Sequence, residues 1–580
     1  MKEKSPAYLL GAWICFWLSL PACHETSGSS IDEQIRLGRD LTTAGGAVAC
    51  VDRYGAEEGA KILAQGGNAV DAAVTVALVL AVTHPAAGNL GGGGFMIVRA
   101  ADGREVAIDY REAAPSSVGA DLFLDDEGNY HSEWVARGHR AVGIPGTVAG
   151  LFLAHRNFGS LPWSELVQPA IRLAADGIVV DEDLSSSLSA VASILATNPA
   201  ARRVFLDAHG RAPLLGDLLR QPDLAGTLRR LAKGGADSFY SGRTAVLIAA
   251  DMARHGGLMT LADLAGYQAV MREPVSIPVG ESQLLAMPPP SSSGVALGQI
   301  LGVLQRRSAE RWRRNSISFV HLYAEAARRA FADRAIHLAD PDHVQVPVEE
   351  LLSDGYLDAM ARSIRLNAAT PSDRLGPSVT LAEGTQTTHF SIVDQWGMAV
   401  ANTYTLEQSY GAKVVAAGTG ILLNNELGDF NRVPGVTNQK GFIGTLPNQA
   451  APGKRPLSSM SPVVAVRDGK AVLVAGSPGG RTIINTIGLI VHDVLVRDRD
   501  PGESVSAPRF HHQWFPDRLV LEEAGDSPAL RRGLETLGHE VVTRKEQGDA
   551  HVIFIDSASD LRRAIADRRI DGWVGVADLP

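Results

Sequence analysis

Thr385-Gln386-Thr387-Thr388-His389-Phe390-Ser391-Ile392-Val393-Asp394 is the stretch on which the reading of this chain turns, because an aperiodic polar run gives way there to a strand. From about residue 367 to 386 the sequence is polar and punctuated by Pro371, Gly376, Pro377 and Gly384, which reads as a loop. Residues 387–394 and 398–405 then alternate as two strands joined by a turn at Gln395-Trp396-Gly397. A loop that delivers a hydroxyl residue to the start of a strand is a weak signal alone, since a β-branched threonine also fits a pleated surface.

Further strands are expected at 463–466, 471–475, 519–522 and 551–556, with helical patterns at 482–496 and 528–537. Upstream, residues 57–82 read as a helix rich in small residues, among them Gly66-Gly67-Asn68-Ala69-Val70-Asp71-Ala72-Ala73, which lets it approach its neighbours closely. Gly91 to Gly94 break the chain before a hairpin, 95–98 with 106–110, that ends at Arg111. Residues 146–335 read as mostly helical and are expected to pack as outer layers. Helices before residue 386 and strands after it imply a sheet core covered by helices.

The 580 residues are 45% hydrophobic and 20% charged, as in a globular protein with a sizeable core. A formal net charge of -10 without a run of Lys or Arg argues against a nucleic-acid partner. Lys2 and Lys4 precede an apolar stretch, 7–20, too short to span a bilayer comfortably, so residues 1–22 read as a signal peptide. Leu20-Pro21-Ala22-Cys23 resembles a bacterial lipobox with Cys23 as the lipidated first residue, although Ala22 also suits an ordinary signal peptidase. The expected location is the bacterial periplasm, with an outer-membrane anchor if Cys23 is lipidated. Cys15 leaves with the leader, so Cys23 and Cys50 are the pair left and disulfides are not the scaffold.

A succession of short blocks gives Thr387 its context. Upstream stand Gly91-Gly92-Gly93-Gly94-Phe95, Asp109-Tyr110-Arg111-Glu112-Ala113-Ala114-Pro115 and Val142-Gly143-Ile144-Pro145-Gly146-Thr147. Downstream stand Thr403-Tyr404-Thr405, Asn424-Asn425-Glu426-Leu427-Gly428-Asp429-Phe430, Lys454-Arg455-Pro456-Leu457-Ser458-Ser459-Met460-Ser461-Pro462 and Gly476-Ser477-Pro478-Gly479-Gly480-Arg481. In this order, from about residue 45 to 517, the blocks resemble the γ-glutamyltranspeptidase family of N-terminal-nucleophile hydrolases.

The resemblance implies an αββα sandwich built jointly by two subunits, 23–386 and 387–580, released by autocatalytic cleavage between Gln386 and Thr387. Thr387 is then nucleophile and, through its freed α-amine, base; a terminal amine titrates at roughly pH 8, far nearer neutrality than lysine. By the same resemblance Thr405 orients the nucleophile, and Gly479 and Gly480 supply an oxyanion hole from their N–H groups. Arg111, Ser458 and Ser459 take the α-carboxylate of a γ-glutamyl group, and Glu426 and Asp429 its ammonium. Glutathione and related γ-glutamyl amides are the implied substrates, water or an amino acid or dipeptide the acceptor, and no cofactor is needed.

Three positions depart from well-known members. Glu407 stands where an asparagine contacts substrate, Gly428 replaces an acidic residue, and Lys440 stands where a lid tyrosine is frequent, within a lid stretch, 434–452, of about full length. The rival readings are a cephalosporin-acylase-type amidase, against which Glu426 and Asp429 speak, and an inactive homologue acting as a binding protein. His511-His512 lacks the partner spacing of a metal site, and the glycines of 476–481 lack a P-loop ending.

Overall fold

The computed structural model describes Met1 and residues 31–375, 387–436 and 444–579. The leader, Cys23, Gln386 and Lys440 lie outside the described residues.

Two antiparallel sheets form the centre. The first runs Ile35–Gly38, Trp573–Ala577, Gly46–Cys50, Thr388–Val393, Ala399–Thr405, Gly93–Arg99, Glu105–Tyr110, Val270–Arg272. The second runs Asp40–Thr43, Arg562–Ala566, His551–Ile555, Lys470–Gly476, Val463–Arg467, Ser282–Ala286, Val275–Val279. Side chains alternate across each strand, so the two faces of the first sheet feed two cores. Val48, Met96, Val98, Phe390, Ile392 and Val400 pack outward with the helices Arg53–Ala64 and Ala69–Thr83. Ala47, Ala49, Ile97, Ala399 and Ala401 face the second sheet, and their small size lets the sheets lie close. The helices Ser293–Arg306, Ile317–His337 and Thr482–Val491 cover the far side of the second sheet. The layers are helix, sheet, sheet, helix, as expected.

Both sheets mix strands from either side of residue 387. Thr388–Val393 pairs with Gly46–Cys50, and Lys470–Gly476 lies two strands from Ser282–Ala286. A break in the chain before Thr387 therefore leaves every ladder intact.

Two expectations need correction. The helix expected over 57–82 is two helices, because Gly66 adopts φ 88° and Asn68 caps the second helix in a reciprocal box with Asp71. The region 146–335 is mostly helical, as expected, but it does not pack wholly as outer layers: Val270–Arg272, Val275–Val279 and Ser282–Ala286 complete both sheets. The hairpin expected before Arg111 is present, with Gly93–Arg99 pairing Glu105–Tyr110. Cys50 is a buried free thiol.

Candidate active site

Thr387 stands one residue before its strand, and the register of Thr388 against Tyr404 brings it opposite Thr405, the last residue of the neighbouring strand. Thr405 is fixed at its hydroxyl and at its carbonyl. Its Oγ1 accepts the backbone N–H of Glu407 at 2.9 Å, and its carbonyl accepts the Asn89 side-chain amide at 2.9 Å. Asn89 Oδ1 in turn accepts the Gly92 N–H at 2.9 Å and the Thr147 hydroxyl at 2.7 Å. A Cβ on Gly92 would lie 2.0 Å from the Thr405 carbonyl oxygen, so this glycine is a close backbone crossing beside the site.

The second wall comes from the second sheet. After Lys470–Gly476 the chain turns through Ser477-Pro478-Gly479-Gly480-Arg481 into the helix Thr482–Val491. Gly479 and Gly480 hold φ of 129° and 56°, a backbone that L side chains rarely adopt. The Gly479 carbonyl is turned into the helix, accepting from the N–H and the hydroxyl of Thr482 at 3.1 and 2.8 Å. This is a helix N-terminus, where the backbone carries partial positive charge.

Arg111 follows the strand Glu105–Tyr110 and is 1% exposed. Its Nη1 pairs with Glu426, its Nη2 with Asp429 at 2.5 Å, and its Nε donates to the Pro456 carbonyl at 3.1 Å. Glu426 and Asp429 are brought together by the one-turn helix Glu426–Asp429. Burial pushes the Glu426 carboxyl well above the usual range, more than Arg111 lowers it. Ser458 and Ser459 are held from the neighbouring segment: the Ser458 N–H donates to the Pro290 carbonyl at 2.9 Å, and Arg334 Nη2 donates to Ser459 Oγ at 3.1 Å. Glu407 accepts the Asn425 amide and holds φ 80°.

Thr387, Thr405, Arg111, Glu407, Glu426, Asp429, Ser458, Ser459 and Gly480 line one cavity of about 20 Å³, together with Met460 and Ile483. Gly479 adjoins it through Gly480 but is not on its surface. The cavity has room for about one water. The arrangement differs from the sequence-based division of labour in one respect: Arg111, expected to meet a carboxylate of the substrate, pairs with Glu426 and Asp429, expected to meet the ammonium.

Three contributors escaped the sequence reading. Glu112 is buried 3.7 Å from Arg111 Nη1. Arg334 steadies Ser459, and Asn448 ties the Asp429 carbonyl (2.7 Å) to the Leu457 N–H (3.0 Å). Glu112 was legible only as the acid beside Arg111; the other two carry no local signal. Gly428 has a steric reason, because a Cβ there would meet the Val135 side chain at 2.7 Å.

Among the described residues two clusters have the ligand types to hold a cation, His139–Asp251–His255 and His321–Glu325–His539. Their ligand atoms are engaged with one another and with protein groups: His139 Nε2 with Asp251 at 3.0 Å, His321 with His539 at 2.8 Å, and Glu325 with Arg328 and Arg329. His511 and His512 point to different partners, Asn485 and Asp517.

Residues 55–577 match the family model described as Gamma-glutamyltranspeptidase. The chain is 44% identical to the glutathione hydrolase proenzyme of Escherichia coli (strain K12), over 91% of each chain. Among solved structures it is similar to a cephalosporin acylase from Bacillus halodurans, with TM-score 0.81, 25% identity and coverage of 96% of this chain and 99% of that one. It is also similar to a gamma-glutamyltranspeptidase from Pseudomonas nitroreducens, with TM-score 0.54, 40% identity and coverage of 56% and 96%.

Proposed function

The chain belongs to the γ-glutamyltranspeptidase family, and on that premise we propose that Thr387, once freed by cleavage after Gln386, hydrolyses or transfers the γ-glutamyl group of glutathione and related amides. The observation that carries this reading is the convergence of Thr387, Thr405 and Gly480 with Arg111, Glu426, Asp429, Ser458 and Ser459 on one cavity.

Self-cleavage and turnover use the same groups. In the precursor the Thr387 hydroxyl attacks the Gln386 carbonyl, the peptide bond becomes an ester, and water releases the large subunit, 23–386, from the small one, 387–580. In the processed enzyme the α-amine of Thr387 takes the hydroxyl proton as Oγ1 attacks the γ-carbonyl of the substrate. Negative charge on the tetrahedral oxygen is met by the N–H groups of Gly479 and Gly480 at the helix N-terminus. The leaving amine collects the proton, and the remaining ester passes its acyl group to water or to the amine of an amino acid or dipeptide.

Recognition exchanges partners at Arg111. The substrate carboxylate takes the guanidinium fork together with the serine hydroxyls, while the ammonium takes the carboxylates that Arg111 releases, so each buried charge keeps an opposite neighbour. Glu407 adds a further carboxylate to the ammonium side. A cephalosporin-acylase-type substrate, with a carboxylate but no ammonium, would leave Glu426 and Asp429 uncompensated. Rates on γ-glutamyl and glutaryl anilides test this directly: the reading expects γ-glutamyl to be preferred, and a preference for glutaryl overturns it. The leader-like pattern of residues 1–22 supports a periplasmic location in a bacterium, with Cys23 as the candidate anchor point; the mass of the mature N-terminus tests both.

A further inference from the structure

Four ionisable side chains meet at the recognition end of the cavity: Arg111, Glu112, Glu426 and Asp429. Glu112 is 0% exposed and Glu426 is 1% exposed. The fork of Arg111 is spent on Glu426 and Asp429, and Nη1 comes no nearer to Glu112 than 3.7 Å. Among the described residues no donor reaches either oxygen of Glu112 or Oε2 of Glu426. The two carboxyl groups are nevertheless neighbours on one nitrogen, Nη1 of Arg111, Glu426 in an ion pair with it and Glu112 at 3.7 Å.

Other neighbours cannot supply the missing proton. The hydroxyls of the surrounding Tyr110, Tyr240 and Tyr267 donate to Asn402, to the Pro145 carbonyl and to the Arg111 carbonyl. The amide of Asn424 donates to the carbonyls of Gly91 and Gly143. Glu407 and Asp429 add only negative charge near Glu426. Three ionised carboxylates around one guanidinium would leave two uncompensated charges in a buried site, which protonation of one carboxyl relieves.

We propose that Glu112 is a positioning residue that retains a proton and donates it to Glu426, fixing that carboxylate for the ammonium of the γ-glutamyl group. The proposal rests on the γ-glutamyl reading for its substrate. Burial raises the proton affinity of both carboxyls, and the ion pair of Glu426 with Arg111 leaves Glu112, 3.7 Å from Nη1, as the one to carry the proton. The Glu112 side chain is braced on two sides, since a Cβ on Gly93 would lie 2.7 Å from its Oε2 and one on Gly143 would lie 3.1 Å from its Cβ. With Glu112 neutral, Arg111, Glu426 and Asp429 sum to one negative charge, and a zwitterionic α-centre enters without changing it. Losing the proton adds a second negative charge and draws Arg111 away from the incoming carboxylate.

The test compares self-cleaved wild type with Glu112→Gln and Glu112→Leu by infrared spectroscopy at neutral pH and by KM and kcat on a γ-glutamyl anilide. The wild type should show the carbonyl stretch of a neutral carboxylic acid that Glu112→Gln lacks. Glu112→Gln keeps an N–H donor and should hold KM within a few-fold, whereas Glu112→Leu should raise KM by about tenfold or more with a smaller change in kcat. Identical carboxylic-acid bands in wild type and Glu112→Gln, or equal damage by Gln and Leu, overturns the proposal. If Glu112→Leu fails to fold, the spectrum of Glu112→Gln still decides. An inactive wild type that shows the band would sink the γ-glutamyl reading and leave the shared proton standing; an active wild type without it would do the reverse.

Discussion

The backbone N–H of Glu407 donates to Oγ1 of Thr405 at 2.9 Å, and Glu407 holds φ 80° as the chain turns out of the strand. A hydroxyl that accepts there directs its own hydrogen elsewhere, and Thr387 lies across the ladder. Thr405→Ala should slow both self-cleavage and kcat by about 10- to 100-fold, the value of one hydrogen bond to a developing charge, while Thr405→Ser keeps most of both. Timed gels of the precursor and steady-state rates would read the two effects; a Thr405→Ala variant that cleaves at the parental rate contradicts the orienting role.

Gly479 tests the oxyanion hole. Its φ of 129° is strained for any L side chain, and an added Cβ would meet Thr482 Oγ1 at 2.5 Å. Gly479→Ala should swing the N–H groups at the helix start out of line and lower kcat by about 10²–10³-fold, with a smaller change in KM. An equal loss in KM alone would assign these glycines to binding instead.

Arg111 carries binding and stability together. Arg111→Lys loses the fork that meets two oxygens at once and should raise KM by about tenfold or more. Arg111→Met leaves the buried acids without their cation and should cost about 3–5 kcal/mol in unfolding free energy. Thermal or denaturant unfolding of the two variants beside the parent separates the effects, and a Met variant as stable as the parent would contradict the pairing.

Acid should loosen the joint between the two subunits. Thr370 donates its N–H and hydroxyl to Glu325 at 3.0 and 2.6 Å, and the Ser372 N–H donates to Asp517 across the cleavage point at 2.8 Å. Arg328 and Arg329, with the Thr370 contacts, hold Glu325 down at about 2 despite its burial. Burial holds His512 and His539 down at about 4 and 3, below the usual 6.5. Each of these groups binds protons more readily unfolded than folded. The histidine contribution is therefore complete above about pH 6.5 and shrinks as pH falls toward 4 and 3; that of Glu325 shrinks below about 4.5. The melting temperature of the processed enzyme should fall below pH 6.5, and His539→Gln, which keeps a donor toward His321, should flatten that slope. A melting temperature constant from pH 7 to 4 would contradict the account.

Much of this was legible because it is local. The alternation on either side of Gln395-Trp396-Gly397 specified the pair Thr388–Val393 and Ala399–Thr405, and the helical pattern from 482 specified the helix Thr482–Val491. Ile35–Gly38 and Asp40–Thr43 are short strands of mixed polarity, and their places are set by partners more than 500 residues away. Ser282–Ala286 lies between helical patterns and becomes a strand through pairing with Val463–Arg467. The site divides in the same way: Thr387 and Arg111 sit at recognisable strand ends, whereas Arg334 reaches Ser459 over a separation of 125 residues.

The most direct measurement is intact mass and N-terminal sequencing of the purified protein beside Thr387→Ala. The account predicts two chains in the wild type, one beginning at Thr387, and a single uncut chain in the variant. A wild type that folds yet stays one chain would contradict it, because the α-amine that serves as base would never form.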